Sequence, residues 1–202
     1  MKNIEMIQLD RLKPFENHPY KVVENEEMNN LTQSINENGI LSPIIVRPIE
    51  NGEYEIISGH RRLFAGKQAG LTKIPAMVCK MDRDTAAVTL VDSNLHRENI
   101  LPSEKAYAYK LKAEALSHQG KRTDLTSGQF VPKSDDNRTS AEIGEPYGES
   151  YKTVQRYIRL TNLHPKLLEY VDEGRIAFTP AVELSYLNDI EQQDLIEIIE
   201  SE

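Results

Sequence analysis

The sequence predicts an α+β domain over residues 1–100 and an all-α domain over residues 101–202, with a helix-turn-helix at about residues 140–161. Three observations lead to this prediction. Short apolar strand patterns alternate with helix patterns in the first half, the second half contains helix patterns, and residues 140–161 combine helix caps, a turn glycine and a basic helix face. A length of 202 residues allows one or two domains with a real core.

The composition is that of a globular chain, with 28% charged and 39% hydrophobic residues. No apolar run approaches the roughly 20 residues of a membrane span, and the N-terminus lacks the apolar core of a signal peptide. The single cysteine, Cys79, excludes an internal disulfide framework and suits a reducing compartment. We therefore expect a cytoplasmic protein without membrane contact.

The net charge of −8 argues against nucleic acid until its distribution is considered. From Leu167 onward there are ten acids and one base, a balance of −9, which leaves +1 for the preceding residues. The segment between Ser150 and Leu168 contains no acid, and its bases are Lys152, Arg156, Arg159 and Lys166. Because local fields steer association, this segment is compatible with a nucleic-acid partner.

Periodicity and punctuation predict the elements of the first half. Gly39 suits the end of a helix, and Asn51-Gly52 is a hairpin signal. The predicted strands cover residues 4–9, 44–46, 54–57 and 74–78, and the predicted helices cover residues 26–38, about 60–70 and 82–97.

The bend at Ser58-Gly59 organises this half, because a strand pattern ends there and a helix pattern begins. Free N–H groups at a helix start bind anions, and Arg61 and Arg62 add forked donors that suit phosphate oxygens. One interpretation is a phosphate pocket for a nucleotide or nucleic acid. The other is a plain strand-to-helix turn whose arginines pair with nearby carboxylates.

The second half begins with a predicted helix from Pro102 to about Ser117, since proline fits a first helical turn. Residues 120–139 are rich in Ser, Thr, Asp, Lys and Gly and predict a mobile loop. Three more helices are predicted at residues 165–171, 179–187 and 189–199, with an acidic end that is most simply a solvated face.

The helix-turn-helix prediction places a short helix over residues 140–147 and a second helix after the cap Ser150. Gly144 is small where the helices would cross, Gly148 supplies the turn, and Pro146 shortens the first helix. The residues expected to face a major groove are Ser150, Tyr151, Lys152, Thr153, Gln155, Arg156 and Arg159. The alternative is an ordinary helical hairpin with a solvated basic face.

The ordered motifs resemble the ParB family of DNA-partition proteins over nearly the whole chain. They include residues 31–47, Ser58-Gly59-His60-Arg61-Arg62, the strand 74–78, residues 94–104 and the helix-turn-helix. The resemblance implies an α+β N-terminal ParB-like domain followed by an all-α helix-turn-helix domain.

The resemblance also implies a nucleotide site, because the family binds CTP with Mg²⁺ to close a dimer around DNA as a sliding clamp. Carried over, the nucleotide-binding residues are Gly59, His60, Arg61, Arg62, Ser93, Asn94 and Arg97, with Asn94 as the metal ligand. The implied partners are double-stranded DNA, a second copy in a homodimer and a partition ATPase. The implied location is the cytoplasm, in association with a nucleoid or plasmid.

Several positions depart from the family pattern. His60 and Ser93 stand where the family usually has Glu, and His18-Pro19-Tyr20 stands where Gln-Pro-Arg is frequent. Serine cannot supply the missing charge at position 93, so we expect at most a weak CTPase. The family also usually has a separate C-terminal dimerisation domain, for which these 202 residues leave no obvious room.

The leading hypothesis is a sequence-specific DNA-binding protein for partition of a plasmid, mobile element or chromosome, with CTP as a clamp-closing switch. A second hypothesis is a transcriptional regulator of the same fold that ignores nucleotide. A third is a nucleotide hydrolase or phosphotransferase on the same scaffold, against which Ser93 argues.

Overall fold

The computed structural model describes residues 3–97, 99–127 and 136–201. The chain divides into two compact units, Met1–Ser93 and Asn94–Glu202. Each unit is described by itself.

The first unit is a mixed five-stranded sheet with three helices among its described residues. The strand order is β1-β5-β3-β4-β2, in which β1–β5 and β3–β4 are antiparallel, while β2–β4 and β3–β5 are parallel. The elements are β1 Asn3–Gln8, β2 Leu12–Pro14, α1 Glu26–Asn38, β3 Ile44–Pro48, β4 Tyr54–Ser58, α2 His60–Gln68, β5 Lys73–Val78 and α3 Arg83–Asn94.

These elements confirm the predicted strands and helices of the first half within a few residues, and they add β2. This strand was missed because it has only three residues and includes Pro14, and it gains its pairing from β4 far along the chain. The Asn-Gly hairpin is confirmed, since β3 and β4 are joined through a turn with left-handed φ at Asn51 (58°) and Gly52 (72°).

One core cluster of this unit lies on one face of the sheet. Its buried residues are Ile7, Leu12, Ile44, Val46, Ile56, Leu63, Ile74 and Ala76. Leu63 belongs to α2, so burial of this face fixes the helix that follows β4.

Helix α1 has both of its predicted ends. The Asn25 side chain accepts a hydrogen bond from Met28 N (3.0 Å), and the chain leaves the helix at Gly39 with φ 70°. Met28 and Ile35 are buried against α2, so the first turn of α1, which contains Glu27, is held beside the start of α2.

The second unit has only helices as regular structure among its described residues. They are α4 Pro102–Ser127, α5 Asp136–Gly144, a 3-10 turn Glu145–Tyr147, α6 Tyr151–Leu160, α7 Pro165–Asp172, α8 Phe178–Leu184 and α9 Asp189–Ser201. The loop predicted for residues 120–139 was too long, because α4 continues past Gly120 to Ser127 and α5 begins at Asp136. One glycine costs a helix only about 1 kcal/mol, which good helix formers around it offset. Residues 128–135 lie outside the described residues.

None of the helices in the described part of the chain has the combined length and apolar character needed to cross a bilayer.

The core of the second unit contains residues of five helices, α4, α6, α7, α8 and α9. The buried side-chain amide of Gln192 links α9 to the segments before α7 and α9. The Gln192 Nε2 donates to Asn162 O (3.2 Å) and Leu187 O (3.0 Å), and its Oε1 accepts from His164 N (2.6 Å). The buried core residues are Ala106, Leu160, Leu163, Leu167, Leu168, Tyr170, Val171, Ala181, Val182 and Ile196. A fully bonded buried amide stabilises one arrangement of these helices.

Helices α5 and α6 cross at Gly144, as the sequence predicts. A Cβ at this position would lie 2.4 Å from Glu149 O and 2.9 Å from Val154 Cγ2. The Gly144 carbonyl accepts from Glu149 N (3.0 Å), which draws the turn back onto α5. Pro146 lies in the 3-10 turn, so α5 ends at Gly144.

Gly144→Ala is expected to lower the free energy of unfolding by about 1–3 kcal/mol, because the new methyl group meets a backbone oxygen that cannot move aside. Urea denaturation followed by circular dichroism measures this change. The control is Gly66→Ala, where a Cβ would have its nearest neighbours at 3.5 Å. Equal stability of Gly144→Ala and the parent would contradict the close crossing.

Candidate phosphate-binding bend and candidate nucleic-acid interface

The bend between β4 and α2 requires glycine. Gly59 has φ 107° and ψ 24°, and a Cβ there would lie 2.6 Å from Ile44 Cγ2. The first helical hydrogen bond runs from Leu63 N to Gly59 O (3.0 Å), so helix geometry leaves the preceding amide N–H groups of α2 without acceptors inside the helix. Such a helix start favours an anion.

Arg62 braces the bend from one side. Its Nη1 donates to Ser42 O (2.5 Å) and Pro43 O (2.7 Å), and burial lowers the pKa of its guanidinium. The Nη2 atom lies 3.2 Å from the position a Cβ of Gly59 would take. Arg62 therefore joins the start of α2 to the segment before β3 and keeps its charge over the bend.

Arg61 is held more loosely. Its Nη2 donates to Glu27 Oε2 (3.1 Å), with side-chain exposures of 35% for Arg61 and 73% for Glu27. The expected carboxylate pairing of the arginines is thus found for Arg61, whereas Arg62 has carbonyl partners. An exposed ion pair contributes only about 0–1 kcal/mol, so a phosphate can displace Glu27 at small cost.

His60 begins α2 and packs on a second imidazole. The ring centroids of His60 and His18 are 3.7 Å apart, and His18 Nδ1 donates to Tyr20 O (2.8 Å). The His60 Nε2 is buried without a hydrogen-bond partner in the described part of the chain. Burial, with a smaller contribution from His18, lowers the pKa of His60 to about 3. His60 is therefore neutral at pH 7, where the family usually has an acid.

The remaining predicted nucleotide-binding residues lie at the end of α3 and after it. Ser93 closes the first unit, and its Oγ donates to Leu90 O (2.9 Å). Asn94 and the exposed Arg97 belong to the second unit, with Asn94 O accepting from Arg97 N (3.0 Å). Gly59, His60, Arg61 and Arg62 lie together at the start of α2. That Ser93, Asn94 and Arg97 bind the same nucleotide stays a prediction.

The predicted metal ligand, Asn94, is not part of a cluster of acidic or histidine side chains in the described residues. Within residues 3–97, 99–127 and 136–201, no three His, Cys, Asp or Glu side chains meet in a way that could hold an ion. Mg²⁺ keeps several waters and takes phosphate oxygens as ligands, so one amide oxygen such as that of Asn94 fits a metal that arrives with a nucleotide.

Helix α6 presents the predicted nucleic-acid face. Ser150 caps it by accepting from Thr153 N (3.2 Å), and Val154 and Leu160 are buried on its inner side. Tyr151, Lys152 and Arg156 are exposed, while Thr153, Gln155 and Arg159 are half-buried.

Both arginines of α6 also have partners within this unit, Arg156 on α8 and Arg159 just after it. Arg156 Nη2 donates to Thr179 Oγ1 (2.9 Å), and Arg159 Nη2 donates to Ser185 O (3.1 Å). Their guanidinium groups lie 5.0 Å from the Phe178 ring centroid and 4.0 Å from the Tyr186 ring centroid, respectively. Sequence reasoning missed these partners, because the two hydrogen-bonded ones lie 23 and 26 residues away and no local pattern links them to the arginines.

Comparison with known proteins identifies the first unit. The ParB N-terminal domain model matches residues 1–95. The chromosome-partitioning protein Spo0J of Thermus thermophilus is 33% identical over 169 residues, which cover 83% of this chain and 54% of that protein. A probable plasmid-partitioning protein ParB of Deinococcus radiodurans is 32% identical over 195 residues, covering 94% of this chain and 66% of the relative. The chain belongs to the ParB family.

Solved structures share the fold of this ParB-family chain. A Pnob8-like ParB-N domain superposes with a TM-score of 0.59 at 18% identity, covering 98% of this chain and 84% of the other. The C-terminally truncated ParB of Caulobacter crescentus, complexed to the centromeric parS site, gives 0.54 at 23% identity, covering 96% and 91%. The chain spans about half to two thirds of the length of its curated ParB relatives.

Stability of this ParB-family chain should fall in acid because of His60. The unfolded histidine titrates at 6.5 and the folded one at about 3, so below pH 6.5 the unfolded chain binds a proton that the folded chain does not. Between pH 7 and pH 5, this group alone should remove about 2 kcal/mol of unfolding free energy. Urea titrations at both pH values measure the loss.

His60→Phe is the matched variant, since it keeps the ring against His18 and does not titrate. We expect its stability to fall less between pH 7 and pH 5 than that of the parent, by about the same 2 kcal/mol. An identical pH dependence of parent and variant would show that folding does not lower the pKa of His60.

Proposed function

We propose that this chain is a DNA-binding partition protein in which the Gly59 bend holds the phosphates of CTP and α6 reads duplex DNA. One observation carries the nucleotide part. The bend combines an obligatory glycine at a helix start with two guanidinium groups, of which Arg62 is fixed and Arg61 is loosely held.

The roles of the two arginines follow from their partners. Arg62 fixes the bend by donating hydrogen bonds to Ser42 O and Pro43 O, and its positive charge would attract the phosphates. Arg61 can leave Glu27 and offer its fork to phosphate oxygens, which match guanidinium geometry better than a single carboxylate oxygen does. CTP supplies the negative charge that this arrangement attracts, and the choice of a pyrimidine rests on the family resemblance.

In this proposal, binding of CTP changes the conformation of the protein, and CTP hydrolysis is at most weak. Position 93 carries a serine whose hydroxyl donates to Leu90 O, so it offers no carboxylate to orient a water or hold Mg²⁺. Binding energy can still close a homodimer, which is the role that the resemblance assigns to CTP.

The DNA part rests on α6 and on the relatives. A capped helix with exposed Lys152 and Arg156 and an acid-free sequence suits a major groove. Several matching relatives are named for chromosome or plasmid partitioning, others are nucleoid occlusion proteins, and the Caulobacter ParB was crystallised on its parS site. We therefore propose double-stranded DNA as a partner, with a location on a nucleoid or plasmid. A second copy of this chain and a partition ATPase are the further partners that the family resemblance implies.

Arg61→Ala should weaken CTP binding about tenfold or more, because it removes a charged donor to phosphate. Isothermal titration calorimetry with CTP and Mg²⁺ measures the change. The thermal midpoint should stay near that of the parent, because the lost ion pair is exposed. The matched control is Glu27→Gln, which releases Arg61 and should bind CTP at least as tightly as the parent.

Calorimetry also separates the two leading functions. The Arg61–Glu27 pair and the carbonyl bonds of Arg62 are what a regulator that ignores nucleotide would also show. If the parent gives no heat with CTP yet binds DNA, the result supports the transcriptional regulator and contradicts the CTP switch.

Arg156→Ala should weaken binding to the cognate duplex by about 1–3 kcal/mol if it reads a base, or reduce the salt slope by about 1 if it contacts a phosphate. Fluorescence anisotropy across a salt series distinguishes these results. Lys110→Ala is the control, since Lys110 is an exposed lysine of α4 outside the acid-free segment and its loss should not affect binding. Unchanged affinity and slope for Arg156→Ala would remove α6 from the interface.

A further inference from the structure

One face of α4 carries charged and polar side chains where an apolar stripe would be expected. Lys105, Tyr109 and Lys112 follow each other at spacings of four and three residues, so they lie on the same side of the helix. Tyr109 is fully buried, and Lys112 is only 5% exposed. Lysine is rarely buried to this extent unless its charge is paired, so this face calls for an explanation beyond core packing.

The centre of the contact is the carboxylate of Glu149. It receives the ammonium of Lys105 on Oε1 and the hydroxyl of Tyr109 on Oε2 (2.8 Å). The Lys105 and Glu149 side chains are 22% and 17% exposed, so the pair is largely shielded from water. Burial, together with the hydrogen bond to Glu149, raises the pKa of Tyr109, which stays a protonated donor.

Glu149 occupies a sensitive position in the chain. It lies between the turn residue Gly148 and the cap Ser150, and its N–H is bonded to Gly144 O. Any movement of Glu149 therefore changes the angle at which α6 leaves the turn.

The same face of α4 also contacts aromatic rings on both sides of Glu149. Lys105 Nζ lies 4.7 Å from the ring centroid of Tyr157 on α6, and Lys112 Nζ lies 5.2 Å from that of Tyr147 in the 3-10 turn. The Tyr109 ring is 5.8 Å from that of Tyr157. Cation–π contacts are directional, so α4 holds the turn and α6 in one mutual orientation.

We propose that Lys105 and Tyr109 are positioning residues for DNA recognition, because through Glu149 they fix the direction of α6 without touching DNA themselves. This inference rests on the proposed DNA-binding function. A buried ion pair adds little stability over an apolar pair of similar size, but it fixes geometry, which is the requirement for reading base edges.

The test uses Lys105→Met, which keeps the apolar stem, and Tyr109→Phe, which removes only the hydroxyl. The probes are the duplex that the parent chain selects from a random library and a scrambled duplex of equal length. Both variants should lose about tenfold in affinity for the selected duplex, the effect of roughly one mismatched base pair. Affinity for the scrambled duplex and the salt slope should stay unchanged, because no phosphate contact is lost.

Three controls accompany these variants. Lys110→Met removes an exposed lysine from the same helix and should bind both duplexes like the parent. Ile196→Val loosens the core of the same unit and should lower the thermal midpoint without changing the ratio of the two affinities. Lys105→Arg keeps the donor to Glu149 and should recover most of the affinity.

Each outcome decides between named alternatives. A parent chain that selects no duplex would end the proposed DNA-binding function and this inference with it. A parent that selects one, with Lys105→Met and Tyr109→Phe equal to it, would overturn the positioning role alone. A reduced salt slope would make Lys105 a phosphate contact, and a loss matched by Ile196→Val would make the contact merely structural. Selective loss on the chosen duplex at constant salt slope supports the proposal.

Discussion

The close approach of Gly59 to Ile44 is the constraint on which the bend between β4 and α2 depends. Ile44 is fully buried in the sheet, so the backbone at position 59 can pass over it only without a side chain. This contact sets where β4 ends and where α2 begins. It therefore sets the direction of the helix N-terminus and the places of the two arginines that follow it.

Two neighbouring arginines acquire different roles because successive residues of a helix point about 100° apart. Arg62 faces the segment before β3 and meets carbonyl oxygens, whereas Arg61 faces the first turn of α1 and meets Glu27. A guanidinium held by two carbonyl oxygens thus lies beside one that is held by a single exposed carboxylate. In the proposed function, Arg62 would belong to the preformed part of the phosphate site and Arg61 would turn from Glu27 to the phosphate.

In the second unit, the direction of α6 is fixed from three sides. Gly144 permits the close crossing with α5, the carboxylate of Glu149 links the turn to α4, and the arginines of α6 contact α8 and the residues after it. The DNA reading proposed for α6 would require such supports, because the outer face of the helix must then stay open for the duplex.

The sequence by itself determined the helices and strands of the first half, the Asn51-Gly52 hairpin, the glycine bend and the capped α6, because these depend on local periodicity, turn chemistry and caps. The motif order also led to the ParB family. Only the tertiary structure decided that β2 pairs with β4 and that His60 is buried against His18. The partners of Arg61, Arg62 and Glu149 likewise emerged only on folding. These features depend on residues distant in the chain, and local sequence carries no record of which side chains packing will bring within hydrogen-bond reach.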